Sequence, residues 1–241
     1  RVIKPRGDRN AIPNSFLRSI IEQNNTKLLE LVFQQNGIEI KEYEFQQLST
    51  LAELTLYPSV VSIGKFAFSK CENLTKIDLN CCIDTIKEGT FSACISLIEI
   101  PNTVKTIKDA FSGCISLKNV KFLPPYSLET IESNAFKNCK ELSEISIPST
   151  CKEIMSNAFE GCSSLVKFTV PSTIRSIGCS IFKGCTSLIA ISIDVNIPTI
   201  EGEMFQGCSQ LKYITIPHSV ADIKANAFEG CSLLSKISIP P

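Results

Sequence analysis

The sequence predicts a repeat solenoid, in which short coils stack on one another and each gives one strand to a parallel sheet. Three observations predict it. The phrase F-x-x-C-x-x-L recurs eight times at a nearly constant spacing. Most copies lead into a segment L-x-x-I-x-I whose end alternates apolar and polar residues, as a half-buried strand does. One period is too short to enclose a core of its own, so each unit must bury its apolar side against its neighbours.

The phenylalanines of the phrase are Phe68, Phe91, Phe111, Phe136, Phe159, Phe182, Phe205 and Phe228, with steps of 23, 20, 25, 23, 23, 23 and 23 residues. Cys71, Cys94, Cys114, Cys139, Cys162, Cys185, Cys208 and Cys231 follow in lockstep, and so do the leucines from Leu74 through Leu97 to Leu234. One period before Phe68 stands Phe45, with Leu48 in the cysteine column and Leu51 in the leucine column, which makes a ninth unit.

The fullest unit runs from Pro217 to Ile239. Proline after the strand (Pro101, Pro148, Pro171, Pro217) cannot donate to a ladder, so it ends the strand and turns the chain. Glycine before cysteine (Gly113, Gly161, Gly184, Gly207, Gly230) fits a tight turn on the outer arc. The Ala-Phe pair places a ring in the coil centre, so stacked coils form a phenylalanine spine beside a cysteine column.

Charge excludes some function classes. The 241 residues carry 24 basic and 24 acidic side chains, a formal net charge of zero, which argues against the basic excess of a nucleic-acid binder. With 44% apolar residues the chain has the means to fold, and no run of 18 apolar residues suggests membrane insertion. Arg1 to Arg6 show no signal-peptide pattern.

The 12 cysteines are about 5% of the chain, below the density of a disulfide scaffold. Their equivalent placement in successive coils fits free thiols packed as small hydrophobes, and Cys151, in the valine column, belongs with them. Cys81, Cys82 and Cys179 fall outside the columns; Cys81 and Cys82 stand where Pro and Ser usually stand and are expected at the surface. Unpaired thiols favour a reducing, cytoplasmic compartment. His218 is the single histidine, in an exposed turn position, and no nucleophile, phosphate-loop or zinc-protease pattern occurs. The expectation is a non-enzymatic chain with no cofactor or metal, its scattered carboxylates serving solubility.

Residues 1–35 lack the Phe-Cys pair and read as a tail, a capping helix over 14–23 and a first degenerate strand over 28–33; residues 36–241 carry the repeats. No cap follows Ile239, which leaves self-association through that end as one expectation. The 20- and 25-residue steps predict a break in regularity between 97 and 128, with Pro124, Pro125 and Tyr126 as a candidate protruding loop.

Outward strand positions carry the candidate site. Two residues after the leucine stand Lys167, Ala190, Tyr213 and Lys236; four after it stand Thr169, Ser192, Thr215 and Ser238. Small hydroxyls leave room for a partner's backbone and supply hydrogen bonds, and Tyr213 is the natural anchor. Other motifs have plainer explanations. Arg6-Gly7-Asp8 is a short accident in a tail, Lys118-Asn119-Val120-Lys121-Phe122 matches a phosphatase-docking pattern but falls on core strand columns, and the sequon Asn73-Leu74-Thr75 contains a core leucine, unlike Asn24-Asn25-Thr26.

The unit I-P-x-S-V-x-x-I-x-x-x-A-F-x-G-C-x-x-L-x-x-I-x-I, as in residues 147–170 and 216–239, resembles the BspA-type leucine-rich repeat family over roughly residues 36–241. The resemblance implies an α/β-type, right-handed curved solenoid with one parallel sheet on its concave face and a helical N-terminal cap. It also implies protein recognition or adhesion, with a cell-surface location as the alternative to the cytoplasm. The implied partner is a protein, bound through the concave face. An intracellular scaffold that docks an enzyme, such as a serine/threonine phosphatase, is the alternative function.

Overall fold

The computed structural model describes residues 18–20, 37–94, 97–193 and 195–238. The isoleucine segments form nine parallel strands: Glu53–Leu56, Lys76–Leu79, Leu97–Ile100, Asn119–Phe122, Glu144–Ile145, Lys167–Val170, Ala190–Ile193, Tyr213–Thr215 and Lys236–Ser238. In Asn119–Phe122 and Lys167–Val170 burial alternates residue by residue, so one side of each strand faces the core and the other the solvent. Val120 and Phe122 are therefore interior, and the phosphatase-docking pattern they belong to is closed inside the coil.

The expected single sheet is in fact two ladders. A second set of short strands carries the segment ending in the next isoleucine: Ile38–Ile40, Val60–Ile63, Thr85–Ile86, Thr106–Ile107, Thr130–Ile131, Glu153–Ile154, Ser176–Ile177, Thr199–Ile200 and Asp222–Ile223. The arcs between ladders are turns; among the described residues only 18–20 are helical, which corrects the α/β expectation. The physical reason is in the backbone. Each coil has two residues with positive φ, one two places before the phenylalanine and one two places after it. Asn157 (φ 61°) and Gly161 (φ 72°) flank Phe159, and such residues end any right-handed helical run. The expected capping helix and the strand over 28–33 lie outside the described residues except for 18–20, where Ile20 is buried.

The phenylalanine spine is as expected. From Phe45 to Phe205 the rings are buried, and each stacks on the next with centroids 5.2 to 6.0 Å apart. The cysteine column has a role the sequence did not disclose. Seven of its thiols donate to the phenylalanine carbonyl of the preceding coil, as Cys162 Sγ does to Phe136 O (3.2 Å) and Cys185 Sγ to Phe159 O (3.2 Å). All twelve cysteines are free, and burial pushes Cys162 and Cys208 up to about 12.

The predicted break over 97–128 does not interrupt the first ladder. Ile98 lies between Ile77 and Val120 in continuous register. Leu97 stands opposite Lys76 and Asn119, not in the leucine column, and Glu99 stands opposite Asp78 and Lys121. The two missing residues come out of the loop before the strand, so the ladder is kept. The interruption falls elsewhere: the first ladder divides into a five-stranded and a four-stranded sheet, between Glu144–Ile145 and Lys167–Val170.

Candidate interaction surface

Strand register brings the predicted site residues together. Lys167, Ala190, Tyr213 and Lys236 are consecutive partners across four strands, and Thr169, Ser192, Thr215 and Ser238 form the adjoining row. Lys167, Thr169, Ser192 and Thr215 are exposed, and Tyr213 is 60% exposed. The surface is thus two rows, one of hydroxyls and one carrying lysine and tyrosine, at strand spacing of about 4.8 Å.

Two rows of loop hydroxyls on the solenoid are already used. In the turn after the first ladder, Thr103, Thr150, Thr173 and Ser219 donate to carbonyls of the preceding coil, for example Thr150 Oγ1 to Leu128 O (2.7 Å). After the cysteine column, Ser163, Thr186, Ser209 and Ser232 do the same at 3.2 to 3.4 Å. The side-chain hydroxyls of Thr169, Ser192 and Thr215 make no hydrogen bond among the described residues, because on a strand the backbone groups beside them are committed to the ladder.

Charge is distributed in the same way. Elsewhere lysines pair with carboxylates one coil on: Lys65 with Glu88 (2.7 Å), Lys108 with Glu132 (3.0 Å), Lys137 with Glu160 (2.8 Å) and Lys183 with Glu203 (2.8 Å). The hydrogen bond from Lys183 holds the Glu203 carboxyl below its usual range. These carboxylates join coils rather than merely solubilise them. Lys167 has no such partner among the described residues. The five-stranded sheet carries Glu53, Asp78 and Glu144 at outward register positions, with Glu99 in register with Asp78, whereas the corresponding positions of the four-stranded sheet carry no acid.

The remaining candidates fall apart from this surface. Pro124, Pro125 and Tyr126 are exposed in the loop after Asn119–Phe122. Cys82 is exposed as expected, but Cys81 is buried, and burial pushes it up to about 12. Its coil has Asn80 where most coils turn outward at proline, so the chain folds inward and Cys81 takes the core position that Val195 fills later. Cys179 is exposed and donates to Ser156 Oγ (3.3 Å). Leu74 is core, yet its neighbours Asn73 and Thr75 are both exposed, so the sequon is better presented than the leucine suggested. Among the described residues no group of three or more His, Cys, Asp or Glu could hold a metal ion, and no helix is long and apolar enough to cross a membrane.

Comparison with known proteins agrees with this architecture. The family model for the BspA type Leucine rich repeat region matches in six copies over residues 22–124, 95–212 and 129–241. A leucine-rich repeat protein of T. pallidum has a similar structure, with 23% identity, a TM-score of 0.59 and 83% of each chain covered. A leucine-rich repeat protein from Eubacterium ventriosum aligns with 20% identity and a TM-score of 0.48 over 84% of this chain and 70% of that one. A leucine rich cell surface protein from Faecalibacterium prausnitzii aligns with 23% identity and a TM-score of 0.36 over 84% and 83%. No curated protein matches the sequence. The stacked coils, the two parallel ladders and the match across residues 22–241 make this chain a member of the BspA-type leucine-rich repeat family.

Proposed function

We propose that the chain is a non-enzymatic protein-interaction module. Its partner lies on the outward face of the four strands from Lys167 to Ser238, the side taken as concave. The observation that carries this reading is the difference between hydroxyl rows. The two loop rows are spent on the solenoid's own backbone, while the hydroxyls of Thr169, Ser192 and Thr215 remain available beside Tyr213 and Lys167. A rigid row of unspent donors loses little freedom on binding, so its hydrogen bonds contribute more to affinity. Tyr213 supplies the buried aromatic centre such an interface needs, and its truncation to alanine should weaken binding by about 2 kcal/mol, ~30-fold.

A photo-crosslinking amino acid at position 213, with the same probe at exposed Ser176 on the other ladder as control, tests the reading. Partner capture from position 213 alone, abolished by Lys167→Glu, supports it; equal capture from both positions contradicts it. The captured protein also separates adhesion, which requires a matrix or cell-surface ligand, from an intracellular scaffold, which requires a cytosolic enzyme.

A second reading, self-association, is favoured by the coil around Phe228. There Ile223, Leu233 and Ile237 are about two-fifths exposed and Phe228 is half-buried, an apolar face that a further coil or a second copy would cover. Light scattering across a concentration series tests it, and a monomer throughout would reject it.

A further inference from the structure

In the cysteine column one thiol points the wrong way. Seven donate to the phenylalanine carbonyl of the coil before, but Cys94 Sγ donates to Phe91 O of its own coil (2.6 Å). Phe91 O is also the acceptor of Cys114 Sγ, from the next coil (2.9 Å). The two sulfurs therefore converge on one oxygen, whereas in the regular coils successive thiols point in parallel, each to a different carbonyl. The cause is legible in the loop lengths. Three residues separate Cys94 from the start of its strand at Leu97, against five from Cys114 to Asn119 and from Cys162 to Lys167.

We propose that Cys94 and Cys114 form an oxidative cross-linking site, a thiol pair that closes into a disulfide between adjacent coils when the folded chain meets hydrogen peroxide. Backbones one strand spacing apart, about 4.8 Å, fall inside the Cα separation of roughly 4.4–6.8 Å that a disulfide needs. Many neighbouring cysteines of the column meet that condition, and the Cys139 side chain also reaches Cys114, but only Cys94 and Cys114 donate to the same carbonyl oxygen. Access separates this pair from its neighbour: Cys94 is 6% exposed, while Cys139, on the other side of Cys114, has no exposure. Cys231 at the far end of the column is more exposed, but its thiol and that of Cys208 point in parallel to different carbonyls. Burial pushes the Cys94 thiol up; Cys114 is desolvated as well, but hydrogen bonds from the Cys139 and Cys94 side chains hold it below the usual thiol range, which favours it as the attacking sulfur.

The chemistry balances with one peroxide. Cys94 Sγ attacks the O–O bond, giving a sulfenic acid and one water. Cys114 Sγ then attacks Cys94 Sγ, and the S–O bond breaks. The departing hydroxide takes the Cys114 proton and leaves as a second water. Two thiols are oxidised by one electron each, and the peroxide is reduced.

The test uses the full chain. Exposed Cys82 and Cys179 are first alkylated, the chain is exposed to graded hydrogen peroxide, and the remaining thiols are mapped by mass spectrometry of unreduced peptides. The expected result is the loss of two alkylatable thiols and a Cys94–Cys114 linked peptide before any other, with Cys162 and Cys185 still reduced. Cys94→Ser should leave Cys114 reduced at the same dose. A first cross-link elsewhere in the column, oxidation of Cys94 to a sulfonic acid without a link, or no loss of column thiols until the chain unfolds would each overturn the proposal. The wild-type peptide map decides between these outcomes even if the variant does not fold.

Discussion

Replacing Phe159 by alanine should destabilise the protein severely and change the shape of its unfolding. The ring is fully buried; it stacks on Phe136 at 5.4 Å and on Phe182 at 6.0 Å and lies tilted against Phe168 at 5.1 Å. Losing a buried phenylalanine in a core that cannot collapse costs roughly 3–5 kcal/mol, and lost aromatic geometry places this site toward the upper end, about 4–5 kcal/mol. The position matters as much as the size. Phe159 lies at the interruption of the first ladder, where neighbouring halves are joined by the ring stack and by the second ladder through Glu153–Ile154, bonded on both sides. Solenoid stability is a sum of coil and interface terms, so weakening this joint should split one transition into two. Phe68→Ala, flanked by continuous pairing of Glu53–Leu56 and Lys76–Leu79, should lower the midpoint and keep a single transition. With no tryptophan in the chain, urea unfolding followed by far-ultraviolet circular dichroism is the assay. A loss under about 1 kcal/mol, or curves of the same shape for both variants, would refute the placement of the spine.

The other predictions concern backbone, thiols and pH. Gly184→Ala should cost about 1–2 kcal/mol in urea midpoint from its φ of 72° alone, since the nearest atom to the new methyl is 3.7 Å away. Gly89→Ala should cost more, because its methyl would lie 2.1 Å from the Phe66 ring, while Lys70→Gly, at φ 57°, should stabilise by up to about 1 kcal/mol. Cys162→Ala should lose about 1–3 kcal/mol by leaving Phe136 O without its donor, and an unchanged midpoint would count against the thiol ladder. Burial pushes Cys71 and Cys151 to about 11 and Cys81, Cys162 and Cys208 to about 12, against 9.0 for an ordinary thiol. Between those values the folded chain holds more protons than the unfolded one, so stability intact below the ordinary value is lost as pH rises, by about 1.4 kcal/mol per pH unit per thiol. Denaturation under reductant at about pH 8 and about pH 10 checks this, and a flat profile would contradict it.

The columns of Phe, Cys and Leu were legible because a fixed period makes equivalent residues visible without any knowledge of conformation. Features shorter than a period were not. The second ladder is often only two residues per coil, Thr106–Ile107 or Thr130–Ile131, too short for alternation to show. The left-handed residue before Ala-Phe had a signal in Asn134, Asn157 and Asn226, since asparagine tolerates that conformation, but Tyr43, Phe66 and Glu203 hold the same φ and hide it. Leu97 was misplaced because it fits the seven-residue phrase; ladder register, set by Ile98 and Ile100, overrides the phrase. Cys81 was misplaced because its inward turn follows from a missing proline, and a column drawn from the commonest coil does not register an absence.

The candidate surface was half legible for a related reason. Strand alternation was enough to put Thr169, Ser192, Tyr213 and Thr215 on one outward face. It did not distinguish them from Ser163, Thr186 and Ser209, which are equally small, equally polar and just as regularly spaced. What separates the rows is the backbone beneath them. Loop carbonyls of the preceding coil keep acceptor capacity, even where one backbone N–H already reaches them, and loop hydroxyls close onto them at 3.3 to 3.4 Å. Strand backbone is satisfied by the ladder, so strand hydroxyls find nothing of their own chain to bind. Two rows of small hydroxyls thus have opposite roles, one fastening coil to coil and the other left for a partner. The same accounting identifies Lys167 against Lys137 and Lys183, whose charges are already matched one coil on.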